Sequence, residues 1–215
     1  MSTQFNTGRN FLKLCFHSME LPIFPLNGAV LFPGTSLPLN IFESRYIEMI
    51  NYSLARERLI GMIQTNGNNK LYKIGCLGKI HNFNETNDGR YLISLQGMNC
   101  FKVNKELEKK YSFRLVDAEL IPAIEDSNNF DNEKKKHLLN KYKNYIKIKK
   151  INLSLEEIET IDLSQIIKFI AMVSPFKNED KQVLLETLNL DEFYEKLISI
   201  IELELSGDFT NRTIN

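Results

Sequence analysis

Between Leu21 and Thr65 the chain sets turn-forming pairs between short apolar segments in an order that few folds can accommodate. Leu21–Leu26 and Ala29–Phe32 flank Asn27-Gly28, and Pro33-Gly34 follows at once, with proline fixing φ and glycine free to take positive φ. Ser36–Phe42 alternates toward a strand. A helix, Ser44–Arg56, then opens at Glu43-Ser44, with Tyr46, Met49, Ile50 and Leu54 at helical spacing, and Leu59–Gln64 returns as a strand. Tyr72–Phe83 and Arg90–Leu95 flank Asn87-Asp88-Gly89, a strong hairpin signal. Gly97 interrupts before Asn99–Val103, and Ser112–Ile121 follows the charged turn Lys105–Lys110. Closely spaced strands joined by short turns predict a meander that curls into a barrel.

Ile121-Pro122 ends that pattern, and 125–131 reads as a polar linker. Beyond it the periodicity is helical. Asn132–Ile151 carries Leu138, Leu139, Tyr142, Tyr145 and Ile146 on one side, and Ser154 and Glu157 have the spacing of a capping box. Leu155–Val173, with a break near Asp162, ends before Ser174-Pro175, where proline forbids continuation. Glu179–Thr187 and Leu190–Leu205 complete a bundle, with Gly207 placed to end the last helix and 208–215 as a frayed tail. The expected class is α+β, a β-rich lobe over 20–124 followed by an all-helical lobe over 132–207.

The blocks LPIFPLNGAVLFPG, LPLNIFESRY, RLIGMIQ, GCLGKIHNF and DGRYLISLQGMNCFKV, and the tail FIAMVSPFKNEDKQVLLETLNLDEFYEKLISIIELEL, follow one another in the order and spacing of a known family. From Glu20 to Leu205 the chain resembles the amino-terminal substrate-recognition domain of Lon proteases, and more closely the free-standing bacterial proteins made of that domain alone. The resemblance implies a PUA-like pseudo-barrel joined to a helical bundle, and a part in protein quality control or proteolysis. The chain departs from the family's usual His at Asn40, Pro at Ser44, and Arg-Phe-Arg at Cys100-Phe101-Lys102.

At 215 residues the chain can bury a substantial core. Its formal net charge is zero, so no global field recruits nucleic acid or an anionic membrane. No apolar run reaches the ~18–20 residues of a spanning helix. Cys15, Cys76 and Cys100 form no CxxC pair and leave an odd count, which points to reduced thiols in the cytoplasm, with Cys76 and Cys100 serving as small core hydrophobes. The first acid is Glu20, and 1–18 reads as an extension that is disordered or untranslated, with translation starting at Met19.

Motifs for chemistry are sparse. No GxxxxGK[ST] phosphate loop occurs, so the resemblance implies a chain holding only the recognition part of Lon, hydrolysing neither ATP nor peptides. His17, His81 and His137 are scattered, and Cys76, His81 and Cys100 have no spacing that compels a metal site. No catalytic residue, metal or cofactor is expected.

Binding is the better-supported expectation. Glu43, Arg45 and Tyr46 form a polar group at a strand–helix junction, which capping alone would also explain. Phe32, Pro33 and Phe83 lie beside turns, where they either meet a partner or plug the barrel ends. Those six residues are the expected contacts for unfolded or exposed apolar polypeptide, or for one specific protein partner, by apolar burial and strand addition. The alternative is nucleic acid bound by the lysines of 134–150. The stretch 131–150 carries a net charge of +6 and 151–208 a net charge of −9, so a basic helix facing acidic helices explains the same residues.

Overall fold

The computed structural model describes residues 18–66, 68–122, 132–155 and 158–212. The readings made above for residues 1–17, the linker 125–131, Glu157 and the last three residues lie outside that range. The β-rich part comprises β1 (Met19–Pro25), β2 (Ser36–Ile41), helix α1 (Ser44–Leu54), β3 (Leu59–Ile63), β4 (Ile74–Glu85), β5 (Tyr91–Glu106) and β6 (Arg114–Leu120). The helical part comprises α2 (Asn132–Lys149), a 3₁₀ turn at Ile158–Thr160, α3 (Leu163–Val173), α4 (Asn178–Glu186) and α5 (Leu190–Arg212). The class is α+β, as the sequence pattern predicts.

The strands form one sheet in the order β2-β5-β4-β3-β1-β6, and β6 pairs a second time with β5. That second pairing closes β1, β3, β4, β5 and β6 into a ring, with β2 lying outside it against the first half of β5. The topology differs from a simple meander, because β1 pairs parallel to β3 and antiparallel to β6. A parallel neighbour needs a crossover, and β2 with α1 supplies it.

Closure explains the composition of the strands. Leu21 and Ile23 of β1, Ile63 of β3, Leu77 of β4, Phe101 of β5, and Val116 and Ala118 of β6 form one buried cluster. The alternate residues Phe24, Ile60, Met62, Cys76, Ile80, Cys100 and Leu115 join a second cluster with α1 and the helices. Side chains of successive strand residues point to opposite faces, so the first set fills the ring and the second carries the helices. Phe101 is the largest side chain of the inner set and finds room only because Gly61 and Gly75 lack side chains. A Cβ at Gly75 would lie 2.6 Å from Phe101 Cζ and 2.6 Å from the Met62 carbonyl oxygen.

Gly97 does not break the strand. It lies within the 16-residue β5, at a bulge where Leu77 pairs with Asn99 and Gly78 with Gly97, leaving Met98 as the extra residue. Gly207 likewise lies inside α5 rather than beyond its end. A glycine in a helix interior costs about 1 kcal/mol relative to alanine, too little to stop a helix by itself. The turn pairs behave as predicted, with φ of 88° at Gly28, 84° at Gly34 and 79° at Gly89.

The helices form by amphipathicity and end by local chemistry. Asp162 caps α3 by accepting from the Gln165 N–H at 2.9 Å, the break predicted near that residue. At the end of α2, Lys150 takes a φ of 55° and the Ile151 N–H returns to the Ile146 carbonyl at 2.9 Å, a Schellman closure. Glu43 is the N-cap residue of α1, but its side chain makes no cap hydrogen bond and pairs with Arg45 instead.

Gly75→Ala should destabilise the fold by about 1–3 kcal/mol through overpacking against Phe101. A urea midpoint lowered at unchanged m-value is expected; an unchanged midpoint would mean the ring is roomier than this packing allows.

Candidate functional site

The loop between β1 and β2 is positioned by a backbone contact with the bulge of β5. The Gly97 N–H donates to the Thr35 carbonyl at 2.8 Å, and the Gly34 N–H donates to the Gly97 carbonyl at 3.0 Å. A Cβ at residue 97 would fall 2.1 Å from the Phe32 carbonyl oxygen, so only glycine allows this approach. The Thr35 hydroxyl donates to the Phe32 carbonyl at 2.8 Å and accepts from its N–H at 3.2 Å, which fixes Phe32 further. The ring of Phe32 then meets Phe193 of α5 edge-on, 5.7 Å between centroids.

Beside this pair a cleft of about 90 Å³ opens between the ring of strands and the helices. Its walls are Phe32 and Pro33 from the loop, Met98 and Cys100 from β5, Leu184 and Leu185 from α4, and Leu188 and Phe193 around the start of α5. Met98 is 44 % exposed and Leu188 39 %. Among the described residues Lys168 of α3 is the one cation lining the cleft, and no Asp or Glu lines it. Burial pushes the Cys100 thiol up to about 11 against the opposing pull of Lys168, and the Cys76 thiol is pushed up by burial as well. Both are neutral near pH 7 and pack as core residues. Among the described residues no three His, Cys, Asp or Glu side chains gather as metal ligands.

Buried polar contacts hold α4 against the strands below the cleft. Gln64 Nε2 donates to the Asn178 carbonyl at 3.0 Å and to Gln182 Oε1 at 3.1 Å, and Gln182 Nε2 donates to the Ile74 carbonyl at 3.1 Å. Lys181, only 4 % exposed, donates to the Gly28 carbonyl at 3.2 Å and the Met172 carbonyl at 3.0 Å. Burial lowers its pKa below the ordinary 10.5, because two carbonyl dipoles replace water only in part.

The six residues singled out from the sequence fall in three places. Phe32 and Pro33 are in the cleft, Phe32 as a fully buried wall. Glu43, Arg45 and Tyr46 sit at the start of α1, where Arg45 pairs with Glu43 at 2.7 Å and covers the buried Tyr46 ring at 4.5 Å. Phe83 is 40 % exposed on β4 and packs edge-on against Tyr91 at 4.9 Å. Sequence reasoning missed Met98, Lys168, Leu184 and Leu188. The available signal was Leu188, an apolar residue in the short connection between two helices.

Comparison with known proteins gives this geometry a context. The family model described as the ATP-dependent protease La (LON) substrate-binding domain matches residues 20–202. The chain belongs to that family. Its similarity to the Lon protease of Buchnera aphidicola subsp. Baizongia pistaciae is 26 % identity over 198 residues, covering 87 % of this chain and 25 % of that protein. With the Lon protease of Brevibacillus choshinensis it shares 25 % identity over 210 residues, covering 90 % and 27 %. The chain thus spans about a quarter of the length of the curated relatives it matches. The fold is that of the Lon N-terminal domain of the Mycobacterium avium complex, with TM-score 0.67, 16 % identity, and 86 % and 98 % of the two chains covered. A Lon N-terminal domain protein from Xanthomonas campestris gives TM-score 0.65 at 18 % identity, covering 84 % and 98 %.

Within this Lon-family fold three lysines of α2 are used in pairs inside the helical part. Lys134 pairs with Asp191 and Lys149 with Glu204, each at 2.8 Å, and Lys141 pairs with Glu202, so α2 faces the acids of α5. Neither this pairing nor the family match supports the nucleic-acid alternative. No helix among the described residues is long and apolar enough to cross a membrane.

The buried lysine carries a pH signature. A folded-state pKa below 10.5 means that, between the two values, the unfolded chain holds a proton the folded chain has lost, so stability from this site rises with pH. The stability advantage of wild type over Lys181→Met should therefore grow as the pH is raised toward 10.5 in urea melts. Tyr46, Tyr52 and Tyr142, whose raised pKa values act in the opposite direction, are common to both proteins and cancel. A constant or shrinking difference would contradict the assignment.

Proposed function

We propose that this chain is a non-catalytic module that recognises exposed apolar segments of other polypeptides, working as an adaptor in cytoplasmic protein quality control or proteolysis. The observation that carries the reading is the apolar cleft between strands and helices, in a chain whose family is the Lon substrate-binding domain. A shallow apolar cavity rimmed by half-exposed Met98 and Leu188 removes the side chain of a bound segment from water at about 25 cal/mol per Å² buried. Methionine adapts to side chains of different shapes, which suits a site that takes many sequences.

Phe32 and Pro33 belong to this contact surface as its wall. Glu43, Arg45, Tyr46 and Phe83 are the second part of the proposal. Glu43, Arg45 and Tyr46 open the helix that follows β2, and Phe83 lies on β4; β2 itself is an edge strand able to accept an extended chain by main-chain hydrogen bonds. The division at 125–131 between a β-rich part and a helical part that closes the groove as scaffold or docking surface belongs to the same proposal.

The test is fluorescence anisotropy of a labelled, permanently unfolded polypeptide titrated with the protein at low and moderate salt. Saturable binding that survives moderate salt is expected, since apolar burial is not screened, and Leu188→Asp should weaken it by about tenfold. Binding that falls steeply with salt would instead indicate a phosphate-like or purely electrostatic mode. Affinity unchanged in Leu188→Asp would remove the cleft from the account.

A further inference from the structure

Among the described residues Lys168 is the one charged group in a cleft walled mainly by apolar side chains, Phe32, Met98, Leu184, Leu188 and Phe193 among them. It is half-buried, and among the described residues it makes no ion pair and no hydrogen bond. The contrast with the rest of the helical part is sharp. Lys134, Lys141, Lys149 and Lys196 each pair with a carboxylate, and the buried Lys181 donates to two carbonyls. A lysine on an apolar wall with no partner of its own is available to an arriving anion, and a charge-assisted hydrogen bond to it is stronger than a neutral one.

The start of α5 lies at the same cleft. Asn189 and Leu190 both line it, and the Asn189 side chain already accepts from the Glu192 N–H at 2.9 Å. The first turn of that helix carries Asp191 and Glu192, which pair with Lys134 and Lys196, so the positive charge facing the cleft is that of Lys168. Behind the cleft rim, Met98 also lines a second concavity shared with Arg58, Lys79 and His81, so the ground next to the cleft is basic although the protein as a whole is neutral.

Size decides which anion fits. A cleft of about 90 Å³ has room for one aliphatic side chain rather than for a stretch of polypeptide. An internal acidic residue would bring its carboxylate on a side chain of its own and leave the apolar walls to a second residue. A chain-terminal residue carries its apolar side chain and its carboxylate on the same Cα, and so satisfies both the walls and Lys168 at once. We propose that the cleft reads the carboxyl-terminus of a polypeptide ending in an apolar residue, with the last side chain among Phe32, Leu184, Leu188 and Phe193 and the terminal carboxylate on Lys168 Nζ. The inference rests on the polypeptide-recognition reading and narrows it to chain ends.

Four labelled peptides and two proteins separate the possibilities. The probe is a fluorescein-labelled Gly/Ser-rich decapeptide ending in Leu, as the free acid and as the C-terminal amide, with a third ending in Ser as the free acid. The fourth is the Leu amide with an internal Glu. Wild type should bind the Leu acid about tenfold more tightly than the Leu amide or the Ser acid, and Lys168→Met should bind the Leu acid and amide alike. Lys168→Met keeps the aliphatic stem, and its urea midpoint checks that it is folded. Equal binding of acid and amide by wild type, or recovery of affinity by the internal Glu, would overturn the terminal-carboxylate assignment. Failure of all four peptides, while a long unfolded polypeptide still binds, would overturn it too and leave the broader recognition reading standing.

Discussion

The approach of two backbones at Gly97 is the constraint on which the arrangement of this molecule turns. With no side chain at residue 97, the loop carrying Phe32 comes within hydrogen-bonding distance of the β5 bulge, and two main-chain bonds lock it there. Thr35 then holds Phe32 through both of its main-chain polar groups, and the ring reaches Phe193. One glycine thereby couples the bulge of a long strand to the last helix of the chain, and the cleft is the gap left beside that coupling.

The ring of strands has a consequence for how the two parts relate. Its strands are buried on both faces: inside by a small cluster around Phe101, outside by the cluster that also contains Tyr142, Ile167 and Leu197 of the helices. The outer core is continuous from strands to helices, so the barrel's outer face and the helical bundle stabilise each other. Polar groups join across the same boundary, with Lys181 and Gln182 of α4 satisfying carbonyls of Gly28 and Ile74. The cleft lies on this joint, with buried walls such as Phe32 and Leu184 and with exposed rim residues Met98 and Leu188.

Much of this architecture was legible in the sequence, because its signals are local. The turn glycines, the helix opening at Ser44, the break before Asp162 and the stop at Ser174-Pro175 each depend on residues within a few positions of one another. What the sequence concealed depends on distant partners. The parallel pairing of β1 with β3 and the double pairing of β6 are register choices between segments far apart. Gly97 reads as a strand breaker until the loop that packs on it is known. Lys181 and Gln182 are polar residues of a short helix, and it is tertiary contact that buries them. The six site residues expected from sequence include two that line the cleft, because an aromatic beside a proline turn signals a fixed loop without saying what it faces. Lys168 carried no signal, since a lysine on an amphipathic helix is ordinarily solvated.

Hydrogen–deuterium exchange of the whole protein, with and without a saturating permanently unfolded polypeptide, addresses the central claim most directly. Added protection is expected at the β5 bulge around 97–100 and at the α4–α5 connection around 184–193, and nowhere else. Protection centred instead on α2, or on no segment of the cleft, would contradict polypeptide recognition at this site.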